Sequence, residues 1–418
     1  MNKNTIRDSL RCLRYRNYRL FFIGQVISLV GTWMQNLAMG WLVYRLTHSA
    51  LALGVVGFSS QISALFVSPF AGVWADRWER KPLVILSQTL AMIQAFVLSY
   101  LVLTGQVRVW HIIVLSVFLG IVSSFDMPVR HSFTCDMIGD KKDLGNAIAL
   151  NSMIFNIARF IGPTAAGAIV ALWGEGTCFL FNGVSYAAVI VALVMMKVPA
   201  RNPVPSSGIM ESMKEGFIYT FSSVPIRRVI TLMSVISLLV MPYAVLMPVF
   251  ARDVLGGNPQ TLGILLGSAG LGALAGAAFL ATRSGIKGIG KNIITASAIT
   301  ACGLIFLSLA KSLWFALPMM VVTGFGMMVH MALSNTFVQT VAEDDKRGRV
   351  IGFFMLSFVG FAPFGCLLAG WLASHVGTPA TIRAAGILCL AASAFFSRGI
   401  RLLDKAAAEA PGAISRET

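Results

Sequence analysis

Twelve long apolar stretches, separated by short polar ones, organise the whole chain. Each is about as long as the 20 or so residues that an α-helix needs to cross the hydrocarbon layer of a membrane, and each is bounded by Gly, Pro or charge. The pattern predicts an all-α membrane protein with twelve transmembrane helices, which we number spans 1 to 12. The predicted limits are 18–44, 51–75, 83–104, 110–130, 146–172, 176–197, 227–251, 261–282, 292–310, 313–338, 350–373 and 381–400.

The distribution of charge gives the predicted spans an orientation. Only 12% of the 418 residues are charged and 56% are hydrophobic, which exceeds what a soluble core requires. Of the 33 Lys and Arg residues, 27 lie in the segments on the N-terminal side of the membrane. Basic residues concentrate in cytoplasmic loops, so both termini are predicted to be cytoplasmic. The net charge of +16 is then a topology signal that also attracts anionic lipid heads, and no nucleic-acid partner is needed to explain it.

Other kinds of chemistry are not indicated by the chain. The six cysteines have neither the spacing of metal ligands nor an outer-loop cluster, so we predict no metal site and no disulfide framework. The first apolar stretch is too long for a cleavable signal peptide and is expected to be retained. A Walker loop and a catalytic constellation are both missing from the sequence, so we expect no enzyme, no cofactor, and a proton gradient as the source of energy.

The two halves of the chain resemble each other. A shift of 204 residues places Gly72 over Gly276, Gly120 over Gly324 and Phe133 over Phe337. Such a repeat indicates a duplicated set of six helices. The predicted parts are an N-terminal bundle at 1–198, a cytoplasmic linker with an interfacial helix at 199–225, a C-terminal bundle at 226–402 and a cytoplasmic tail at 403–418.

A charged motif follows span 2 in the sequence AGVWADRWERKP. It resembles the signature loop of the major facilitator superfamily, with Glu79 where the usual pattern has glycine. The stretches FDMPVR, AIALNS and ARFIGP are similar to the drug and siderophore exporter branch of that superfamily, which includes the enterobactin exporter and macrolide efflux proteins. The resemblance implies two six-helix bundles that work by alternating access. The motif residues are Gly72, Asp76, Arg77, Arg80 and Lys81.

The resemblance also implies a gate and an antiporter motif. We expect Asp76 to cap span 11 near Val350, where a helix N-terminus favours an anion, and Arg77 and Arg80 to pair with acids of the opposite half. The alternative is that these charges serve topology alone. The stretch IGPTAAG on span 5 resembles the antiporter motif of exporters, and its residues are Gly162, Pro163 and Gly167.

Three ionisable residues are predicted to lie well inside the membrane: Asp126, Arg159 and His330. Charges at that depth are costly and are functional candidates by default. We expect Asp126 and Arg159 to approach each other and, with His330, to couple transport to protons. The alternative is that these residues join helices by hydrogen bonds.

Polar residues recur on one face of spans 1, 5 and 10, where they are predicted to line a central path. A single polar stripe on an apolar helix must face a cavity or a partner. The stripe residues are Gln25, Thr32, Gln35, Asn36, Ser152, Asn156, Thr323 and Ser334.

The sequence therefore predicts a proton-driven antiporter of a bacterial inner membrane that exports an amphipathic or apolar small molecule. The partners expected are this substrate and membrane lipid, and the protein is expected to be a monomer. A lysophospholipid flippase of the same fold is the alternative, and a receptor or scaffold without transport is a third possibility.

Overall fold

The computed structural model describes residues 11–138, 140–197, 209–282 and 288–409, and the side chains of 68–77, 141 and 209–213 lie outside this description. Within it, twelve helices are long and apolar enough to cross a membrane, which confirms the predicted number of spans. Spans 1 to 12 are Arg16–Thr47, Ala50–Arg77, Arg80–Leu103, Val109–Asp136, Leu144–Trp173, Glu175–Met195, Val224–Val254, Pro259–Ala281, Ile289–Leu307, Leu313–Val341, Arg347–Val376 and Thr378–Ser397.

Spans 7 and 11 are interrupted helices. Proline has no N–H to donate and its ring crowds the preceding turn, and each interruption has a proline beside it. Span 7 divides at Pro242 and span 11 divides just before Pro363. The pieces of span 7 are Val224–Leu239, Tyr243–Val249 and a π-helical turn at Phe250–Val254, and the pieces of span 11 are Arg347–Val359 and Ala362–Val376.

The chain forms two compact units, the first comprising Met1–His48, Ser59–Ser206 and Asn258–Gly267. An apolar cluster closes one end of this unit, with Tyr18, Phe21 and Phe133 almost fully buried. The Tyr18 hydroxyl donates a hydrogen bond to the Ala147 carbonyl oxygen at 3.0 Å. This contact fixes the start of span 1 against the start of span 5.

An N-terminal 3-10 turn, Arg11–Arg14, is anchored at the start of span 5 in the same unit. The buried carboxylate of Asp143 pairs with Arg11 at 2.5 Å and Arg14 at 2.7 Å. The Tyr15 hydroxyl donates to the same carboxylate at 2.9 Å. Burial acts to raise the pKa of Asp143, but the Tyr15 hydrogen bond and the two arginines outweigh it and hold that pKa below its ordinary value.

Replacing Asp143 by Asn is expected to release this N-terminal anchor. At neutral pH the variant should be cut by trypsin faster than the wild type after Arg11 and Arg14, while an Asp140→Asn control at a nearby exposed position should not. A depressed carboxyl pKa stabilises the folded state above the unfolded value of about 3.9. The stability difference between wild type and Asp143→Asn should therefore be constant from pH 5 to 8 and shrink in stronger acid. A difference that grows in acid would contradict this account.

The second unit comprises Ser49–Phe58, Ser207–Gly257 and Ser268–Thr418. The linker helix predicted before span 7 is present at Ile209–Ser222. It rests on the start of span 11, where Glu215 forms an ion pair with Arg349. The chain ends its described part in a second short helix, Ile400–Ala408, which runs across the predicted boundary at residue 402. Leu403 in this helix is buried, so the segment packs on the unit.

The sequence repeat reappears in how the helices cross. Gly120 of span 4 lies against the Ser60 carbonyl oxygen of span 2, which an added Cβ would approach to 2.6 Å. Gly324, which is 204 residues later, lies against the Ala269 carbonyl oxygen of span 8 in the second unit. Equivalent glycines therefore let equivalent helix pairs approach closely.

Candidate functional site

Asp126 is the centre of a buried polar network in the first unit. It lies ten residues before the end of span 4, about 15 Å along the helix, and only 5% of its surface is exposed. Its carboxylate accepts hydrogen bonds from Ser87 Oγ at 2.7 Å and Gln88 Nε2 at 2.8 Å, both on span 3. One helical turn later, Arg130 forms an ion pair with the same carboxylate.

Arg130 extends the network to a third helix. Its guanidinium donates to Gln25 Oε1 of span 1 at 2.7 Å. Spans 1, 3 and 4 are thus joined through one carboxylate and one cation. The Gln25 Nε2 and Gln88 Oε1 atoms are buried and have no hydrogen-bond partner among the described residues.

The predicted pairing of Asp126 with Arg159 is wrong. Span 4 continues as a helix to Asp136 instead of ending at residue 130, so Arg130 lies inside the span. Residues four apart on a helix face each other, and Arg130 reaches Asp126 without leaving the helix. The ionisable residues within the spans therefore include Arg130 and also His131.

Arg159 has a different environment at the middle of span 5. Its guanidinium lies over the Trp33 ring of span 1, with 5.8 Å between Cζ and the ring centroid. Phe155 makes an edge contact with the same ring at 5.7 Å between centroids. The guanidinium has no ion-pair partner among the carboxylates that the structure describes.

The antiporter motif holds two helix crossings rather than one. A Cβ on Gly162 would lie 2.5 Å from the Trp33 Cβ, so this glycine brings span 1 against span 5. Gly167 lies instead against Gly263 of span 8, with 3.0 Å from an added Cβ to the Gly263 Cα. Pro163, between the two glycines, is buried within a continuous helix.

The polar stripe on span 1 faces more than one environment. Gln35 is buried and donates to Gln94 Oε1 of span 3 at 3.1 Å, and it accepts from Asn182 Nδ2 of span 6 at 2.8 Å. Thr32 donates to a carbonyl of its own helix at 2.9 Å. Asn36 is exposed. Gln25 and Gln35 therefore join helices through hydrogen bonds. Asn36 is the exposed residue of this stripe.

The stripe on span 5 is also divided. Ser152 is exposed, whereas Asn156 is 5% exposed and donates from Nδ2 to the Ser152 carbonyl oxygen at 2.8 Å. The face that carries Ser152, Phe155 and Arg159 is the open one, since none of the three is buried.

His330 belongs to span 10 and faces span 9 in the second unit. It is 1% exposed, and its Nδ1 is 3.2 Å from the Ile293 carbonyl oxygen of span 9. The shift of 204 residues places Asp126 over His330 and Arg130 over Ser334. The same two helical positions therefore hold an ion pair in one half and a histidine and a serine in the other. The Nε2 of His330 and the hydroxyl of Ser334 are buried and have no hydrogen-bond partner among the described residues.

The third stripe, on span 10, packs inside the second unit. Thr323 is buried, and its Oγ1 packs against Gly303 of span 9. A Cβ added at Gly303 would clash with this oxygen. Ser334 is also buried.

The gate motif is described in part. Gly72, Asp76 and Arg77 fall where side chains lie outside the described residues, so the predicted cap on span 11 is not placed. Arg80 forms an ion pair at 3.0 Å with Asp136 at the end of span 4, in its own half, and its predicted pairing with an acid of the opposite half stays a prediction.

Lys81, the other motif cation whose side chain is described, also bonds within its own half. Lys81 donates to the Met196 carbonyl oxygen at 2.7 Å. The start of span 3 therefore bonds to the ends of spans 4 and 6, which belong to the same unit.

Sequence reasoning missed several residues of the network, and one signal could have found the most important of them. The spacing of Asp126 and Arg130 in DMPVR is the i, i+4 spacing of an intrahelical ion pair.

Among the described residues, no group of three or more His, Cys, Asp or Glu side chains could hold a metal ion.

Comparison with known proteins gives a match over almost the whole chain. The family model described as transmembrane secretion effector matches residues 8–414. The chain is 26% identical to the staphyloferrin A transporter of Staphylococcus aureus, over 90% of this chain and 95% of that protein. It is also 26% identical to the multidrug efflux pump Tap of Mycolicibacterium fortuitum, over 90% and 94% of the two chains.

Two further matches agree in length and fold. The enterobactin exporter EntS of Shigella boydii is 25% identical over 92% of each chain. Among solved structures, a bacterial homologue of the human lysosomal transporter Spinster superposes with a TM-score of 0.74 at 15% identity, covering 94% of this chain and 98% of that one.

Proposed function

The chain belongs to the transmembrane secretion effector family of the major facilitator superfamily, and from this membership we infer that it exports an amphipathic or apolar small molecule of the drug or siderophore type in exchange for protons. It is a multi-pass membrane transporter and not an enzyme. The substrate class follows from relatives that are named for siderophore transport and multidrug efflux. The bacterial inner membrane is the proposed location, with both termini in the cytoplasm.

The observation that carries the proton part of the proposal is the three-helix network around Asp126. A carboxylate at membrane depth is costly unless it is paired, and here Arg130, Ser87 and Gln88 all bond to it. The unpartnered amide atoms of Gln25 and Gln88 offer one donor and one acceptor to water. Water held between these groups gives a proton a route to the carboxylate.

Protonation of Asp126 would change the bonds that hold the first unit together. A neutral carboxyl holds a guanidinium less strongly and accepts fewer hydrogen bonds than a carboxylate does. The bonds to Ser87 and Gln88 of span 3 would weaken, and Arg130 would keep its bond to Gln25 of span 1. A proton can thereby favour one packing of spans 1, 3 and 4 over another, as coupling requires.

We assign the other predicted residues to supporting roles in the same cycle. The motif of Gly72, Asp76, Arg77, Arg80 and Lys81 is proposed to hold one of the alternating states, with Arg80 acting through Asp136. His330 is proposed as a second titratable group at the matching position of the second half. Asn36 and Ser152 are proposed to line the substrate path.

The direct test of the proposed function is transport by purified protein in liposomes. Staphyloferrin A, enterobactin, a macrolide and a lysophospholipid would each be measured with and without an imposed pH gradient. We expect at least one siderophore or drug to accumulate against its gradient, and a protonophore to abolish the accumulation. Movement of the lysophospholipid alone would favour a flippase, and accumulation that ignores the pH gradient would contradict proton exchange.

A lysophospholipid flippase remains the alternative function because of Arg159. A cation beside an open apolar face suits a phosphate head attached to an acyl chain as well as it suits an acidic drug. The liposome panel separates the two functions directly.

A further inference from the structure

Arg159 is a cation at the centre of a transmembrane helix whose charge is not balanced by any described carboxylate. It lies 15 residues after the start of span 5 at Leu144 and 14 residues before its end at Trp173. Arg130, which lies six residues before the end of span 4 at Asp136, has Asp126 as its partner. An unpaired charge at this depth must face a water-filled path or bind an anion, because hydrocarbon cannot solvate it.

Two aromatic rings flank the guanidinium of Arg159. Trp33 offers its face to the cation and Phe155 meets Trp33 edge-on, at an interplanar angle of 69°. Phe155 is 44% exposed, and neither Trp33 nor Arg159 is buried, so the group is open on one side. The close approach at Gly162 sets this geometry, because it brings the Trp33 Cβ within contact of span 5 about one turn from Arg159.

The group offers two kinds of contact side by side. A guanidinium beside an aromatic ring keeps N–H donors that the ring does not use, and these can bind a carboxylate through two parallel bonds. The exposed edges of Trp33 and Phe155 offer an apolar surface on which a flat ring can pack. Exposed Ser152 and Asn36 add hydroxyl and amide groups nearby on the same two helices.

We propose that Arg159 and Trp33 form a binding subsite for the anionic group of an aromatic organic acid, and that the exported substrate carries such a group next to an apolar body. This inference rests on the proposed export of an amphipathic small molecule and narrows it to organic anions. Arg159 is then a substrate-binding residue, and proton exchange is left to the Asp126 network.

The test is equilibrium binding to the purified protein in detergent, with no gradient present. The probes are naphthalene-2-carboxylate and its uncharged amide, naphthalene-2-carboxamide, at pH 7.5 in a calorimeter. A charge-assisted hydrogen bond to a guanidinium predicts that the wild type binds the acid roughly tenfold or more tightly than the amide. Arg159→Gln should bind both probes equally, and Arg159→Lys should keep part of the preference. Trp33→Ala should weaken the binding of both probes by a similar factor.

The matched control is Lys311→Gln, which removes one positive charge at an exposed position before span 10 and should leave both affinities unchanged. The proposal is wrong if the wild type does not bind the acid, if it shows no preference for it, or if Arg159→Gln keeps the preference. Because the assay uses no gradient, its result is independent of proton exchange. Binding as expected, together with transport that ignores protons, would refute the coupling proposal and leave the subsite standing.

Discussion

Replacing Asp126 by Asn is expected to abolish uphill transport driven by a pH gradient while leaving substrate binding and passive exchange measurable. Asparagine has nearly the same shape and can still accept hydrogen bonds from Ser87 and Gln88, but it can neither take up a proton nor carry the charge that holds Arg130. The measurement is accumulation by liposomes under an imposed gradient, compared with counterflow of labelled substrate at equal pH. The gradient should then no longer raise the internal substrate concentration above the external one, while counterflow continues.

The control for this prediction is Glu175→Gln at the start of span 6. Glu175 is also a buried carboxylate and pairs with Arg45 at 2.7 Å, but it lies at a helix end away from the network. Its loss should leave gradient-driven accumulation intact. If Asp126→Asn still accumulates substrate at the normal rate, Asp126 is a tie between helices, and coupling must pass through His330, Asp76 or another ion.

Replacing Gly272 by Ala is expected to destabilise the second unit strongly. The added Cβ would meet the Val321 carbonyl oxygen of span 10 and would lie 2.8 Å from its carbon and 2.9 Å from the Phe325 nitrogen. These are backbone atoms and cannot rotate away, so spans 8 and 10 must separate. Forcing a close-packed contact apart costs about 2 to 3 kcal/mol, which would appear as a large drop in melting temperature and a loss of monodisperse protein.

The matched control is Gly352→Ala in the first half of span 11. Gly352 is exposed, and an added Cβ would meet nothing within 4 Å. Alanine at such a helical position should stabilise the protein by about 0.5 to 1 kcal/mol. Equal melting temperatures for the two variants would show that the close approach at Gly272 does not limit stability.

The number and order of the spans could be predicted because hydropathy reports directly on what each helix contacts. The ends of the spans could not. Arg130 and His131 read as the end of span 4, yet the helix continues because Asp126 and Gln25 satisfy the guanidinium inside the protein. Whether a polar residue ends a helix depends on partners that only folding brings together.

The same reason explains the bonds between amide side chains. Gln35, Gln94 and Asn182 are 59 and 88 residues apart in sequence and meet because spans 1, 3 and 6 are rotated to face one another. Periodicity shows that Gln35 lies on a polar face but not which helix this face meets. Arg80 shows the same limit, since its spacing in the motif does not indicate the ion pair with Asp136 of its own half.

The ion pair of Asp126 and Arg130 lies within one helix, and this limits how a proton can act. The two residues move together whenever span 4 moves, so a change in the tilt of the helix does not separate them. What can change is the set of hydrogen bonds from spans 1 and 3. The proposed coupling at this site would therefore work by altering those bonds and the access of water.

If protons drive export as proposed, the presence of one carboxylate away from the helix ends, among the span side chains that the structure describes, limits the energy that this group can supply. One such group carries at most one proton in each cycle. A membrane potential of 100 mV provides about 2.3 kcal/mol for that proton, which supports a concentration ratio of about 45 for an uncharged cargo. A cargo that takes one negative charge outward gains the same energy again, and the attainable ratio rises to about 2,000. The charge of the exported molecule therefore decides how strongly a transporter with a single carboxylate can concentrate it.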